Sequence, residues 1–246
     1  MLKKLSALLF LCALCMWAAD FWTTKPFTQW NEKEVQKVLS DSPWTGKVTI
    51  SGGGPGAPPI VGGGGGGGGR GGGGRGGGPQ GDSTTADPGI AGGGGGDFGG
   101  GGGGGIPVTL LWQTALPVKQ ALAKRKFGAE AGTSPDAKAA VERVDQVYVL
   151  TLIGMPGFTL AAAQGDQKAA LLNSTMLTVA GKPPLKASDV QVSGGRGTGN
   201  VSFLFPKTTT FTAEDKDLEF FSKFGTTTVK HKFKLKDMVF NGKVEM

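Results

Sequence analysis

The chain has 246 residues, but its only histidine is His231 and its two cysteines, Cys12 and Cys15, both sit in an apolar N-terminal run. That excludes a multi-histidine zinc site. If the run is removed, it also excludes a disulfide framework, a thiolate nucleophile and cysteine metal ligands, so no cofactor is expected. A formal charge of +7 and a pI near 9.4 suit acidic polymers, although a mild basic excess is also ordinary for a protein surface.

Residues 1–19 read as a signal peptide. Lys3 and Lys4 form its positive start, residues 5–17 its apolar stretch, and Ala18 and Ala19 the small residues near a cleavage point. The run is short for a membrane span. The expected address is therefore periplasmic or extracellular, or the membrane surface if the N-terminus stays uncleaved.

Residues 20–51 hold an N-terminal aromatic helix and a first strand. Phe21, Trp22, Phe27, Trp30 and Trp44 are either a stacking surface for sugars or bases, or a plug that seals the helix onto the core. Asn31 with Glu34 three residues on forms a capping box, and Val35, Val38 and Leu39 share one side of the helix it opens. Pro43 stops that helix, and residues 47–51 alternate as a short strand.

Residues 52–105 contain 33 glycines among 54 positions, interrupted by Arg70 and Arg75. Glycine loses the most backbone entropy on ordering and brings no side chain to bury, so the composition predicts a disordered tract. Loop-closure cost grows only logarithmically with length, so the strand before the tract and the next one, residues 106–113, are expected to be neighbours. The Arg-Gly segments resemble RNA-binding boxes, but two arginines and a single aromatic, Phe98, make a poor stacking platform.

About 170 residues remain once leader and tract are set aside, enough for one domain. Residues 106–246 form its main part, packing with 20–51. A helix is predicted over 117–127, with Lys124, Arg125 and Lys126 in its last turn, where the helix dipole favours cations. That triplet is an anion patch or simple helix-end electrostatics. Ser134 and Pro135 open another helix reaching about Val144. Residues 146–155 are the best candidate for a central strand. A short helix over 166–173 and strands over 175–179, 190–193, 201–205, 218–224 and 226–235 follow. Asn241-Gly242 between residues 238–240 and 243–246 is the strongest hairpin signal.

Candidate chemistry is sparse. In residues 229–236, Lys230, Lys232, Lys234 and Lys236 alternate with Val229, His231, Phe233 and Leu235, giving one basic and one apolar face. The lysines are either a surface for an acidic polymer or edge protection against aggregation. Period-2 counting puts His231 on the apolar face, as a satisfied histidine or a lone base. Glu214, Asp215, Asp217 and Glu219 cluster without the spacing of a twelve-residue calcium loop. No serine sits in a G-x-S-x-G elbow, no phosphate loop is present, and the glycine runs satisfy G-x-G-x-x-G so often that the match is uninformative.

The opening Trp22, Lys25-Pro26-Phe27, Trp30, Glu34-Val35 and Ser42-Pro43-Trp44 resembles that of a family of small exported bacterial proteins of uncharacterised function. So do the Gly/Arg-rich tract, the segment from Trp112 through Leu116-Pro117-Val118 to Leu122, and the close Phe233-Lys234-Leu235-Lys236-Asp237-Met238-Val239. The resemblance implies export and a single domain, and it carries over no functional residue.

Together these observations predict an α+β domain with a mainly antiparallel sheet, a few short helices and a Gly-rich interruption. The leading functional expectation leans away from catalysis. It is an exported envelope-associated binding or structural module whose partner is an acidic envelope polymer or another envelope protein, with nucleic acid disfavoured. The rivals are an exported hydrolase using carboxylates such as Asp145, Asp215 or Asp217, and an RNA-binding protein using the Arg-Gly tract.

Overall fold

The computed structural model describes residues 20–50, 105–194 and 197–246. The predicted leader and nearly all of the Gly-rich tract, Arg70 and Arg75 included, lie outside the described residues.

The N-terminal aromatics are a plug. A short helix, α1 (Phe21–Thr24), and a 3-10 turn (Phe27–Gln29) lead into α2 (Glu32–Ser40). At its start Asn31 Oδ1 accepts from Glu34 N–H while the Glu34 carboxylate accepts from Asn31 N–H, the reciprocal capping box read from the sequence. Lys25 pairs with the same carboxylate at 2.7 Å, and these donors hold Glu34 below the usual carboxylate range. Trp22, Trp30 and Trp44 are buried and meet their aromatic neighbours edge to face. The centroids are 5.0 Å apart for Phe21–Trp22, 5.5 Å for Phe21–Trp30 and 5.7 Å for Trp22–Trp44. These rings are spent on packing rather than offered to a ligand.

Strand β1 (Thr45–Ile50) pairs antiparallel with β2 (Ile106–Trp112), with Ile50 directly opposite Ile106. The expected neighbours are therefore neighbours, and residues 51–105 run between two paired positions. Leu110 and Leu111 are adjacent yet both buried, so both faces of β2 are covered. Next come α3 (Leu116–Phe127), whose Gly128 stop has φ +57°, and α4 (Pro135–Glu142), with Ser134 as its N-cap. Helix α2 packs on α3 and against β1 and β2, and α3 packs on α4.

Strand β3 (Val147–Pro156) is central, as its apolar run foretold, and lies between β2 and the later β7 (Thr198–Pro206). A register shift between Ile153 and Met155 falls at Gly154, whose φ of +85° suits a bulge. After α5 (Gly157–Leu160) and α6 (Lys168–Asn173) the chain forms β4 (Met176–Thr178), β5 (Leu185–Lys186) and β6 (Asp189–Gly194). The last segment supplies β8 (Asp217–Phe224), β9 (Thr227–Lys234) and the hairpin β10 (Val239–Phe240) and β11 (Lys243–Val244). Asn241 and Gly242 have φ of +50° and +80°, as a two-residue primed turn requires.

Every strand pairing is antiparallel. One sheet runs β1-β2-β3-β7-β6 and a second β5-β4-β8-β9. At one margin the chain crosses between them through Ala187 and Ser188, which donate to Thr175 O of one sheet and Leu204 O of the other. At the opposite margin Gly46 of β1 faces the ring of His231 on β9. The inner faces meet through Phe203 against Phe220 at 5.8 Å and Phe224 at 5.9 Å, and Trp112 against Phe233 at 5.5 Å. The architecture is a single α+β domain, as the pattern of elements predicts.

Two physical consequences are testable. Replacing residues 51–105 with a four-residue Gly/Ser linker removes loop-closure cost between Ile50 and Ile106. It should stabilise the domain by about 2 kcal/mol and raise Tm by about 4–8 °C. A lower Tm would mean that the tract contributes packing. At the seam, a Cβ on Gly46 would stand 2.5 Å from the His231 ring. Gly46→Ala should therefore cost about 1–3 kcal/mol by overpacking, and a His231→Ala background should remove most of that cost. Equal costs in both backgrounds, by urea denaturation, would place the strain elsewhere.

Candidate functional site

The lysine row does not stand free. Lys230, Lys232 and Lys234 share the outer face of β9, but their cross-strand partners on β8 are Phe221, Glu219 and Asp217. The Glu219 carboxylate sits 3.0 Å from Lys230 Nζ and 3.8 Å from Lys232 Nζ. Lys236 is not on the strand, because the backbone turns into a 3-10 segment (Leu235–Met238) and the two-residue period ends at Lys234. The apolar face is as counted: Val229 and Phe233 are buried, and half-buried His231 lies 4.6 Å from the Phe233 ring. Burial lowers the His231 pKa and favours its neutral form.

The acidic residues are tied down individually. Asp215 closes a capping box with Thr212, accepting from its N–H at 2.7 Å, and takes a bond from Lys182 at 2.6 Å. The Lys182 bond is the main reason its carboxyl lies below the usual range. Asp217 faces Lys234, and Glu219 faces Lys232. Among the described residues no three His, Cys, Asp or Glu side chains gather as a metal site. The carboxylates named for hydrolysis, Asp145, Asp215 and Asp217, thus occupy a cation-bound loop, a capped turn and an exposed strand start.

The densest charge lies elsewhere, where β2 ends, β3 begins and β7 ends. Asp145, in the loop before β3, has a side chain only 8% exposed and is the hub. It accepts from Lys119 Nζ of α3 at 3.3 Å, from Arg143 Nε at 2.9 Å and lies 2.8 Å from Arg143 Nη2. Lys119 also donates to Arg143 O at 2.6 Å, which ties α3 to the end of α4. Next to this triad, Lys207, just past β7, holds its ammonium 5.0 Å from the centre of the Tyr148 ring. Tyr148 donates to Thr209 O at 3.1 Å. Burial raises the Tyr148 phenol pKa, so it remains a protonated donor.

Glu245, beyond β11, completes the cluster. Its Oε2 accepts from Leu116 N–H at 3.3 Å, placing an anion at the positive end of α3, while Lys243 lies 2.9 Å from its Oε1. The Lys207 ammonium lies in the field of Asp145, Lys119, Glu245 and Lys243, with burial the largest influence and a lowered pKa the result. Lys119, Arg143, Lys207 and Lys243 against Asp145 and Glu245 are four cations against two carboxylates. The cluster therefore carries two net positive charges.

Sequence reasoning named Asp145, as a candidate hydrolytic carboxylate, but missed the rest of this site because its members come from four separate segments. The weak signal available was that Asp145 and Glu245 stand beside apolar runs that the fold buries.

No family model matches this chain, and no curated protein and no solved structure is significantly similar to it. Among the described residues no helix is long and apolar enough to cross a membrane.

Removing the hub charge has a defined consequence. Asp145→Asn leaves Lys119, whose side chain is 13% exposed, without its ionic partner and close to Lys207. Stability should fall by about 2 kcal/mol in urea denaturation. An unchanged midpoint would show that Asp145 does not hold the cluster together.

Proposed function

We propose that this chain is an exported, non-enzymatic binding module of the cell envelope whose partner is an acidic polymer. The observation that carries the reading is the cation excess of the Asp145–Glu245 cluster. Four basic groups surround two carboxylates already committed to positioning them, and Lys207 has no carboxylate within ion-pair distance among the described residues. A partly dehydrated ammonium gains more from meeting an anion than a fully hydrated one does. The chain's formal charge of +7, of which Lys3 and Lys4 of the leader supply two, adds a long-range attraction of the same sign. Export rests on the composition of residues 1–19 and on the resemblance drawn from the aromatic opening.

On this reading the β9 lysines are secondary. Glu219 neutralises much of the pair Lys230 and Lys232, so their field beyond the sheet is weak. The cluster at the end of the first sheet is the binding surface, and the lysine row protects the sheet edge.

The test is binding to poly-L-glutamate at low salt, measured for two variants. Lys207→Ala combined with Lys243→Ala should weaken binding by about tenfold, the equivalent of 1.4 kcal/mol, and flatten its salt dependence. Lys230→Ala combined with Lys232→Ala, which removes the same two charges from the row, should change it less than the cluster variant. If the row variant loses binding and the cluster variant does not, the surface has been misassigned. If neither matters, the acidic-polymer reading is wrong.

A further inference from the structure

A second feature lies on the far side of Lys119 and Arg143. Between α3, α4 and the paired ends of β2 and β3 there is a cavity of about 310 Å³. That is the small end of the roughly 300–1,000 Å³ spanned by ligand pockets. Its lining offers both polar and apolar groups, and each set can be read for what it would hold.

Among the polar groups, Thr114 is 5% exposed and its Oγ1 accepts from Val149 N–H at 3.1 Å. The hydroxyl proton has no acceptor among the described residues and remains to be donated. Lys119 spends bonds on Arg143 O and Asp145, which leaves its third proton. Arg143 spends its Nε and Nη2 on Asp145, which leaves the other edge of its guanidinium. Lys126, of the triplet that ends α3, lies 5.1 Å from the Phe127 ring and also borders the cavity.

Charge complementarity sets the ligand's valence. Lys119, Lys126 and Arg143 are opposed by Asp136, which also lines the cavity, and by Asp145 behind it. Three cations against two carboxylates leave one net positive charge, which suits a monoanion and disfavours a dianion beside Asp136. Apart from the Gln113 amide, the rest of the lining is apolar: Leu122, Ala123, Phe127, Ala140 and Val149. An uncharged tail buried there gains from leaving water, and the small volume limits that tail to a short one.

We propose that this cavity is a binding site for a short-chain aliphatic monocarboxylate. The carboxylate accepts hydrogen bonds from the Thr114 hydroxyl and from the free donors of Lys119, Arg143 and Lys126, and the hydrocarbon lies along Leu122 and Val149. This inference shares Lys119, Arg143 and Asp145 with the acidic-polymer surface but needs neither Lys207 nor Lys243, so different variants test the two.

The experiment is an NMR titration of the folded protein with hexanoate, following the amides of Thr114 and Val149. 1-Hexanol and adipate serve as tail-only and dianion controls. Saturable shifts are expected with hexanoate, and binding of each control should be at least about fivefold weaker, a factor within reach of one charge–charge contact. Lys126→Met should weaken hexanoate binding by a similar factor. Ala140→Trp, at an exposed position of α4 that borders the cavity, should block it while leaving distant amides unmoved. The proposal is overturned by an absence of saturable shifts at Thr114 and Val149, by hexanol binding as well as hexanoate, or by unaltered binding in Ala140→Trp. Each of these outcomes leaves the poly-L-glutamate result where it stood.

Discussion

The indole of Trp44 is the point through which both ends of the fold are joined. It is fully buried and its Nε1–H donates to Glu245 O at 3.0 Å, a bond between residues 201 positions apart. Its backbone carbonyl accepts from Trp112 N–H at 3.0 Å, which places it at the end of the β1–β2 ladder. Trp22 lies on one side at 5.7 Å and Phe240 on another at 6.3 Å. One side chain therefore links the N-terminal helix, the first sheet and the last hairpin. A buried indole N–H without an acceptor would cost about 1–3 kcal/mol, so the hairpin is held at this depth by hydrogen bonding as well as by area. Charge then follows geometry. With Glu245 O fixed by Trp44, its carboxylate reaches the start of α3, and Lys243 and Lys207 gather around it.

Local rules carried the sequence reading as far as local rules reach. The capping box at Asn31 and Glu34, the primed turn at Asn241-Gly242 and the apolar run of β3 are each decided within a few residues, and each stands where expected. Boundaries shifted where tertiary contacts extend an element, as at Thr45 and Gly46, which join β1 through pairing with Leu111 and Leu110. Strand β5 lies between the strands expected over 175–179 and 190–193, where the sequence predicts no element. Two residues carry no period, and its strand character comes only from pairing with Met176 and Leu177. The 3-10 segment over Leu235–Met238 interrupted the lysine alternation for a comparable reason: Leu235 and Met238 both turn inward to the core.

The functional site was less legible than the fold, and the cause is sequence separation. Period-2 counting detects a row of lysines along one strand but not what stands opposite it. Glu219 belongs to a different strand, and only the register brings it to Lys230 and Lys232. The Asp145 cluster is the reverse case. None of its segments has an unusual charge pattern, and the concentration of charge arises when the ends of β2, β3 and β7 meet the hairpin beyond Phe240. The aromatic opening presented two readings with the same residues, and burial decides between them, since a stacking surface requires exposed faces.

Glycine enters this structure in two opposed ways. At Gly46 it is required sterically, because the closure of two sheets against one another brings the His231 ring where a Cβ would stand. That close approach lets β1 and β9 meet without a gap, and it leaves His231 sheltered enough to favour its neutral form. Between Ile50 and Ile106, by contrast, a glycine-rich stretch is tolerated because the paired residues on either side supply the hydrophobic contacts. Ile50 is buried, and Val108 two residues beyond Ile106 is buried with it. The pairing of Ile50 with Ile106 requires that the intervening chain return to the same place. The energy of returning rises only with the logarithm of its length. Strand β1, closed against β9 through one glycine and followed by a glycine-rich excursion, can therefore accept a tract of different length without disturbing the charged cluster. That cluster is anchored through Trp44 and Glu245, at the end of the β1–β2 ladder opposite the Ile50–Ile106 pair where the tract departs and returns.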